Sequence, residues 1–538
     1  MQLKSSKTSK HGMVATSQPL AAEVGKKILA QGGNAVDAAI ATAVALTIVE
    51  PTSNGIGGDV FAQVWINEEL HGLNSSSIAP EKMTLSEMHK RGHTEEVPKL
   101  GWLPVTVPGA PAAWQALSER WGKLPLAEVM APAIALARDG FEVSPTVAIL
   151  WQQEFQKFEE YLKDTEHWDN WKNTYTIDGK APEAGQIKTF PDHANTLEEL
   201  ASTQCKSFYT GKLADAIDQH SRAGDGLLRK SDLEQYSPEW VTPISTNYRG
   251  YDIWEIPPNG QGLVVLMALN MLKGYEFSND AREEVATLHK QIEVLKLAYT
   301  DGQAHITQLD KMKASVSDML SESYANQRRS LIDENACMPS AGDPSSGGTV
   351  YLATADSEGN MVSFIQSNFY GIGSGIVVPN TGIALNNRGH DFSLDPNHPN
   401  CLEHGKRMFH TIIPGFISKQ VGEGVDKKME AIGPFGVMGA YMQPQGQLQV
   451  LMNMIDFNME PQVALDAARW QWFGGKTIGI EKEFSTAVFD GLKALGHDID
   501  WAKDPTIYGR GQVILKDQEN QQYIGGTEKR CDGFIATL

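Results

Sequence analysis

The chain has 538 residues, of which 41% are hydrophobic, and it carries 46 lysines and arginines against 66 aspartates and glutamates. The resulting net charge of -20 argues against nucleic acids and anionic membranes as partners, so small molecules or peptides are better candidates. The four cysteines lie far apart and form no Cys-x-x-Cys pair, which indicates reduced thiols. Neither a His-Glu-x-x-His nor a Gly-x-x-x-x-Gly-Lys-Ser/Thr pattern occurs, so no metal ion and no cofactor is predicted.

The N-terminal stretch is basic but lacks the apolar core of a secretory signal, which predicts a cytoplasmic protein. Helical spacing of apolar residues predicts a helix over residues 20–30 and a second helix that Asn34 caps and that runs toward Val49. This second stretch, AVDAAIATAVALTIVE, ends before it reaches the ~20 residues that cross a bilayer, so it is predicted to be a buried helix. Further helices are predicted within residues 114–139, 151–171 and 283–299 and in LVVLMALNMLKGYE.

Residues 332–348 are rich in turn formers and are predicted to be an exposed loop. The runs TVYLATAD and MVSFIQSN follow, joined by SEGN, and predict a β-hairpin whose first strand opens with Thr349. Further strands are predicted at GIVVP, TGIALNN, TIIPGFIS, QLQVLMNMI and QVILKD, and a helix at residues 461–470.

Thr349 is the candidate nucleophile. A threonine at a chain N-terminus can use its own α-amine as general base, and the ordinary pKa of that amine, about 7.7–8.0, lies near working pH. The preceding Gly347-Gly348 suits self-cleavage by attack of the hydroxyl on the peptide bond before it. Such a tripeptide is also common as a plain loop-to-strand junction, so both interpretations stay open on these residues alone.

Longer motifs extend over the chain from residue 15 to near the C-terminus. They are GGNAVDAAIATAVALTIVEP, NGIGGDVF, VTVPGAPAAW, LPLAEVMAPAIALARDGF, YRGYDIWEIPPNGQG, GGTVYLATADSEGN, SNFYGIGSGIVVPNTGIALNNRG and KRMFHTIIP. With these motifs the sequence closely resembles the γ-glutamyltranspeptidase family of N-terminal-nucleophile hydrolases. The resemblance implies an α+β fold, a four-layered αββα sandwich. It also implies autocatalytic cleavage between Gly348 and Thr349 into fragments 1–348 and 349–538, which together form one structural domain and a heterodimer.

The same resemblance implies roles for individual residues. Ser367, 18 residues beyond Thr349, corresponds to a hydroxyl that orients the nucleophile. Asn387 and Asp391 fall where the family gathers polar groups around the α-amine of the substrate. Gly436 and Val437, in GPFGVMG, align with a glycine pair that supplies backbone donors to the oxyanion, which predicts a glycine turn at these positions.

Three positions depart from the classical family pattern. The stretch LNSSSIAP lacks the arginine that holds the α-carboxylate of the γ-glutamyl group, and His410-Thr411 replaces a serine pair. Arg388 stands where classical members have Gln or Glu, and a cation there would repel an ammonium and attract a carboxylate. These departures resemble the branch that includes cephalosporin and glutaryl acylases.

The leading hypothesis is therefore an autoprocessed enzyme that hydrolyses or transfers the γ-glutamyl group of glutathione and related amides, with water or an amino acid as acceptor. The alternative is a glutaryl-type or cephalosporin-type amide acylase with the same nucleophile. A third hypothesis is an uncleaved binding protein of the same fold without catalytic activity.

Overall fold

A computed structural model describes residues 5–339, 348–422, 424 and 427–538 of the chain. The strands are β1 Lys7–Ser9, β2 Gly12–Thr16, β3 Asp59–Ile66, β4 Glu69–Ser75, β5 Phe141–Glu142, β6 Ile187–Lys188, β7 Glu239–Val241, β8 Ile244–Tyr248, β9 Tyr251–Glu255, β10 Gly348–Asp356, β11 Met361–Phe369, β12 Gly415–Val421, β13 Lys428–Met438, β14 Trp470–Gly474, β15 Thr477–Ile480, β16 Asp498–Trp501, β17 Arg510–Asp517, β18 Gln522–Thr527 and β19 Phe534–Thr537.

The helices cover both outer faces and the connections between strands. They are α1 Pro19–Ala30, α2 Ala35–Val49, α3 Leu85–Lys90, α4 Ala110–Trp121, α5 Leu126–Asp139, α6 Pro145–Leu162, α7 Trp168–Tyr175, α8 Pro191–Thr203, α9 Lys206–Thr210, α10 Lys212–Ala223, α11 Lys230–Glu234, α12 Gly262–Leu272, α13 Val285–His305, α14 Val316–Met319, α15 Glu322–Arg329, α16 Met442–Ile455, α17 Pro461–Asp466 and α18 Thr486–Ala494.

Two large sheets form the centre of the molecule. One has the strand order β1-β18-β17-β13-β12-β9-β8 and the other the order β19-β2-β10-β11-β3-β4-β7. They pack face to face, chiefly through β10 and β11 of one sheet against β13 and β17 of the other. Each sheet contains strands from both sides of Thr349 in the sequence.

Helices α1 and α2 pack on the outer face of the β10 sheet, and α12, α16 and α17 pack on the sheet that contains β13. The result is the predicted four-layered αββα sandwich, and the α+β prediction is confirmed. The predicted N-terminal helix pair is also confirmed. Asn34 caps α2 in a capping box with Asp37, and every residue of α2 is buried, since it lies between the sheet and other helices.

The hairpin prediction is confirmed, because β10 and β11 pair antiparallel and the residues between them form the turn. The strand predicted at QLQVLMNMI is wrong, since these residues belong to α16. Continuous apolar runs do not distinguish a buried strand from a buried helix. The predicted strands GIVVP and TGIALNN contribute only isolated bridges, one between Val377 and Ala384 and one between Leu385 and Gly57.

The loop predicted before Thr349 includes residues 340–347, which lie outside the described residues. No disulfide joins any two of the four cysteines, all of which lie in the described part of the chain, as predicted. Within the described part of the chain, no helix combines the length and apolar character that a membrane span requires.

Candidate active site

Thr349 lies at an irregularity in the central hairpin. The pairing of β10 with β11 shifts register between Gly348 and Val350, so a β-bulge places Thr349 out of the regular ladder. Bulges of this kind change the direction of a side chain and are common near active sites. The Thr349 side chain is almost fully buried, with 1% of its surface exposed, and its hydroxyl oxygen is hydrogen-bonded to Ser367 Oγ at 3.2 Å.

Ser367 stands at the centre of a convergent set of donors. Its Oγ accepts the backbone N–H of Phe369 at 2.8 Å and Arg388 Nη2 at 3.3 Å, in addition to the Thr349 contact. Phe369 has a φ of 86°, a left-handed conformation that is rare for an aromatic residue. This backbone turn brings the Phe369 N–H back toward the Ser367 side chain, and it holds the hydroxyl in a fixed position.

Arg388 begins a 3-10 helix, Arg388–Asp391, and is completely buried. Its Nε donates to Asp59 Oδ2 at 3.2 Å and its Nη1 donates to Thr411 Oγ1 at 2.8 Å. Its guanidinium lies 4.3 Å from the centre of the Phe369 ring. Burial lowers the pKa of Arg388, and the carboxylate of Asp59 opposes that effect. The positive charge is thus compensated inside the protein.

Asp59, the first residue of β3, pairs directly with Ser367 across the sheet and joins Arg388 to His410. His410 Nε2 lies 2.9 Å from Asp59 Oδ2, and His410 Nδ1 accepts the backbone N–H of Ile412. Burial first, and then the nearby Arg388, lower the pKa of His410 to about 4. His410 is therefore neutral at pH 7, with its proton on Nε2, and adds no cation to the site.

Asp391 forms the boundary between this buried network and a cavity of about 510 Å³. One carboxyl oxygen accepts the Tyr441 hydroxyl at 2.9 Å, and the other lies 3.7 Å from Arg388 Nη1. Burial raises the pKa of Asp391 to about 7, although Arg388 and the Tyr441 hydrogen bond act in the opposite direction. Asp391 therefore changes its charge near neutral pH.

The walls of this cavity are acidic and amide-rich, with one aromatic side. Asp391, Asp395, Asn397, Asn400, Phe409 and Tyr441 line it. Arg388 does not occur among the described residues of its wall. The cavity thus presents carboxyl groups, while the guanidinium stays behind them.

The glycine turn predicted at Gly436 and Val437 is wrong. Both residues lie inside β13, which continues to Met438, and they pair with Gln512 and Gly511 of β17. The chain turns only at residues 439–441, between β13 and α16, and this is where positive φ angles occur, 133° at Gly439 and 47° at Ala440.

The carbonyl groups of this turn are held by protein donors. Gly439 O accepts the N–H of Met442, and Ala440 O accepts the N–H of Gln443 and the side-chain amide of Gln261. The C=O and N–H groups on either side of a trans peptide bond point in opposite directions. The N–H groups of Ala440 and Tyr441 therefore point away from these donors.

Gln443 connects the turn to the nucleophile. Its Nε2 lies 3.5 Å from Thr349 Oγ1, and its Oε1 accepts the N–H of Ile413 at 2.9 Å. The Gln443 side chain thus links the first turn of α16, directly after residues 439–441, to Thr349.

Asn387 supports the backbone of the site. Its Oδ1 accepts the N–H of Tyr370 at 3.1 Å and its Nδ2 donates to the carbonyl of Lys99 at 2.9 Å. Both ends of the amide are engaged with main chain, which fixes the residues after β11 against the segment around Lys99.

A possible metal group lies outside this site. Within the described residues, His289, Glu293 and His497 have ligand atoms close enough to bind one ion. Lys296 Nζ already lies 2.6 Å from Glu293 Oε1, and His289 Nδ1 lies 2.9 Å from His497 Nε2. Because the lysine ammonium occupies the cation position beside the carboxylate, we interpret the cluster as a buried hydrogen-bond network.

The structure brings Thr349, Ser367, Arg388, Asp391, His410 and Thr411 into one network. Sequence reasoning missed Asp59, Gln443 and Tyr441. Asp59 had one available signal, because a buried arginine requires a carboxylate partner and NGIGGD contains one within a recognised motif. Gln443 and Tyr441 carried no signal, since their positions depend on where β13 ends.

Comparisons with known proteins identify the family of the chain. A family profile described as gamma-glutamyltranspeptidase matches residues 21–538. The crystal structure of a cephalosporin acylase from Bacillus halodurans superimposes with a TM-score of 0.95 at 51% identity, over 100% of this chain and 98% of that chain.

Two curated relatives cover nearly the full length. The glutathione hydrolase-like YwrD proenzyme of Bacillus subtilis is 33% identical over 97% of both chains. The oxamate amidohydrolase proenzyme of Klebsiella pneumoniae is 30% identical over 99% of both chains. The chain therefore belongs to the γ-glutamyltranspeptidase family.

Proposed function

We propose that the protein is an autoprocessed amide hydrolase and acyltransferase in which Thr349 forms the acyl-enzyme, and that its acyl donors are γ-glutamyl amides such as glutathione. The observation that carries this proposal is the contact between the Thr349 and Ser367 hydroxyls at a β-bulge, with Arg388 donating to the same serine oxygen. A nucleophile held by fixed donors in a water-poor site is a feature that acyl transfer requires.

Processing follows from the position of Thr349 next to Gly348. The Thr349 hydroxyl attacks the carbonyl carbon of Gly348, the peptide C–N bond breaks, and the hydroxyl proton passes to the nitrogen, which becomes the new α-amine while Gly348 is held as an ester on Thr349 Oγ1. Water then hydrolyses the resulting ester. The products are fragments 1–348 and 349–538, which remain associated as a heterodimer.

In turnover, the α-amine of Thr349 accepts the hydroxyl proton as the oxygen attacks the substrate carbonyl. The Ser367 hydroxyl can rotate to donate to the attacking oxygen, because Arg388 and the Phe369 N–H hold its position. The N–H groups of Ala440 and Tyr441 would stabilise the oxyanion. The amine leaves with the proton, and water or an amino acid resolves the ester.

The choice of acyl group rests on which charges face the cavity. Asp391 lines the cavity, whereas Arg388 lies behind it with its charge compensated by Asp59. An ammonium group on the substrate therefore meets a carboxyl group, which favours a γ-glutamyl donor over a glutaryl donor.

A glutaryl-type acylase is the second candidate. It is supported by the 51% identity to a cephalosporin acylase and by the lack of an arginine within residues 74–78, where the family holds the α-carboxylate. The two candidates share the nucleophile and differ only in the acyl group.

Two measurements test the proposal. Intact mass and N-terminal sequencing of the purified 58.9 kDa chain should yield two fragments, the smaller beginning Thr349-Val350-Tyr351. Hydrolysis of γ-glutamyl and glutaryl para-nitroanilides should then give a higher kcat/KM for the γ-glutamyl compound.

A reversed preference would assign the acylase function. A chain that stays intact after long incubation and hydrolyses neither compound would favour the binding-protein hypothesis.

A further inference from the structure

A second cavity, of about 410 Å³, lies on the other side of the turn that follows β13. Gly439 of that turn lines it, whereas Tyr441 of the same turn lines the Asp391 cavity. Tyr370, which follows the strained Phe369, also lines the second cavity. The two cavities therefore share the short segment 439–441, and Gln443, directly after it, contacts Thr349.

Three basic side chains line the second cavity, and two of them are paired. Lys157 lies 2.9 Å from Glu154, and Arg510 lies 3.3 Å from Glu50. Lys99 is exposed, and its ammonium sits 4.3 Å from the centre of the Tyr370 ring. No salt bridge joins Lys99 to a carboxylate among the described residues, although its charge also acts on Asp391 and opposes the rise in the pKa of that carboxyl.

The acidic residue at this end of the cavity is already engaged. Asp504 accepts both the N–H and the hydroxyl of Thr506, at 2.8 Å and 2.7 Å. Asp504 is thus held by its own turn, and no salt bridge joins it to Lys99 among the described residues.

Thr52 supplies a second, independent observation. Its side chain is 3% exposed and lines the same cavity, and its Oγ1 has no hydrogen-bond partner among the described residues. A buried hydroxyl without a partner is uncommon in folded proteins. A hydroxyl and an ammonium at one cavity are donors that match a carboxylate.

We propose that the cavity lined by Lys99 and Thr52 is a subsite for a carboxylate on the amine half of the amide substrate, the half that leaves when Thr349 is acylated. This inference rests on the proposed function, because it assigns the amine half of the substrate to the second cavity. The Asp391 cavity then receives the acyl half. The preferred amines are amino acids, peptides and other amines that carry an acid group, and neutral amines are discriminated against.

A matched pair of chromogenic amides tests the subsite. One is the para-nitroanilide of the accepted acyl group, and the other is the same anilide with a carboxylate on the ring. The readout is the ratio of kcat/KM for the carboxylated to the plain anilide, which cancels effects on folding, processing and the nucleophile. In Lys99→Ala this ratio should fall about tenfold, and in Lys99→Arg it should be largely kept.

Two further variants sharpen the test. Thr52→Val keeps the shape of the side chain and removes the hydroxyl, so it should also lower the ratio. Lys419→Ala is the matched control, because Lys419 is an exposed lysine over a tyrosine ring, 5.4 Å from Tyr251, on β12 and outside the cavity. This control should leave the ratio unchanged, and added salt should reduce the ratio of the wild type toward that of Lys99→Ala.

The possible failures are distinguishable. If both anilides are hydrolysed and Lys99→Ala leaves the ratio unchanged, the subsite is overturned and the Thr349 chemistry stands. A second comparison uses plain and ring-carboxylated anilides of two acyl groups, glutaryl with a terminal carboxylate and butyryl without one. If Lys99→Ala lowers kcat/KM for both glutaryl anilides by the same factor and leaves both butyryl anilides unchanged, Lys99 recognises the acyl group and the proposal is wrong.

If the wild type hydrolyses neither anilide, the proposed function fails, and calorimetry then decides the subsite. Carboxylated para-nitroaniline should bind the wild type more tightly than Lys99→Ala, and equal binding would contradict the proposal.

Discussion

Two buried clusters in this molecule each combine arginines with carboxylates, but their arginines donate to different groups. In one, Arg388 donates to Asp59 and also to the hydroxyls of Ser367 and Thr411. In the other, Arg469 and Arg530 lie between β14, β17 and the residues after β18.

In the second cluster, the charged side chains pair with one another. Arg469 Nη2 lies 2.6 Å from Glu528, and its Nη1 donates to the carbonyls of Tyr508 and Gly509, both at 3.0 Å. Arg530 pairs with Glu528 and Glu481. Two cations face two anions, and the donors named here end on carboxylates or backbone carbonyls.

The difference teaches how to interpret buried charge. Both clusters are buried and paired, so burial alone does not identify a reactive site. The Arg388 cluster differs because its donors end on side-chain hydroxyls, one of which contacts Thr349, and because Asp391 connects it to a cavity. We infer that the Arg388 cluster orients reacting groups and that the Arg469 cluster holds chain segments together.

The largest expected effect comes from removing the nucleophile. Thr349→Ala should abolish processing and lower turnover by about 10⁴-fold or more, because no other group can form the ester. Thr349→Ser should retain slow processing. Intact mass and anilide hydrolysis measure both effects, and complete cleavage of the alanine variant would sink the assignment of Thr349.

Arg469→Met should remove the ion pair between Arg469 and Glu528. It leaves Glu528 buried with one partner fewer, so we expect a loss of about 3–5 kcal/mol in the free energy of unfolding. The kcat of the folded fraction should stay near that of the wild type. Denaturant unfolding and active-site titration check the two parts, and a large loss of kcat with normal stability would reverse our interpretation.

Arg388→Gln should lower kcat, in contrast to Arg469→Met, which should leave kcat near that of the wild type. The donor to Ser367 is lost, so kcat should fall about 100-fold for γ-glutamyl and glutaryl amides alike. The ratio of kcat/KM for glutaryl over γ-glutamyl amides should stay near that of the wild type, because Arg388 lies behind the cavity wall and Asp59 compensates its charge. An unchanged kcat per folded molecule would remove Arg388 from the orientation of Thr349.

The smallest effect concerns pH. The carboxyl of Asp391 has its pKa raised to about 7, so it becomes an anion as pH rises through this value and then attracts an ammonium. Binding of L-glutamate relative to glutarate should strengthen about tenfold between about pH 6 and pH 8. Calorimetry measures this ratio, and Asp391→Asn should make it independent of pH. A pH dependence that survives in Asp391→Asn would exclude this carboxyl as its source.

The sequence contained enough information for the hairpin and the relation between its two hydroxyls. Thr349 and Ser367 are separated by two strands and a tight turn, so antiparallel pairing brings them together without reference to the rest of the chain. The N-terminal helices could also be predicted from local sequence, since the Asn34 cap and the spacing of apolar residues define them.

The remaining parts of the site depend on distant segments. Asp59 contacts Arg388 across 329 positions, and nothing local indicates which carboxylate meets a buried guanidinium. The error at Gly436 has a similar cause. Glycines are found both in strands and in turns, and only the pairing with β17 shows that the strand continues to Met438. The buried helix α16 was mistaken for a strand because an apolar run has no clear period.

Both sheets interleave strands from the two sides of Thr349, with β10 lying between β2 and β11. A cut before Thr349 would remove only the first residue of β10 and leave the other strands whole, yet it would turn folding from a unimolecular event into an association of two chains. Recovery of the mature protein from denaturant would then depend on concentration, whereas the uncut precursor folds as one molecule. The working lifetime of the enzyme would be governed by how slowly it unfolds and less by its equilibrium stability.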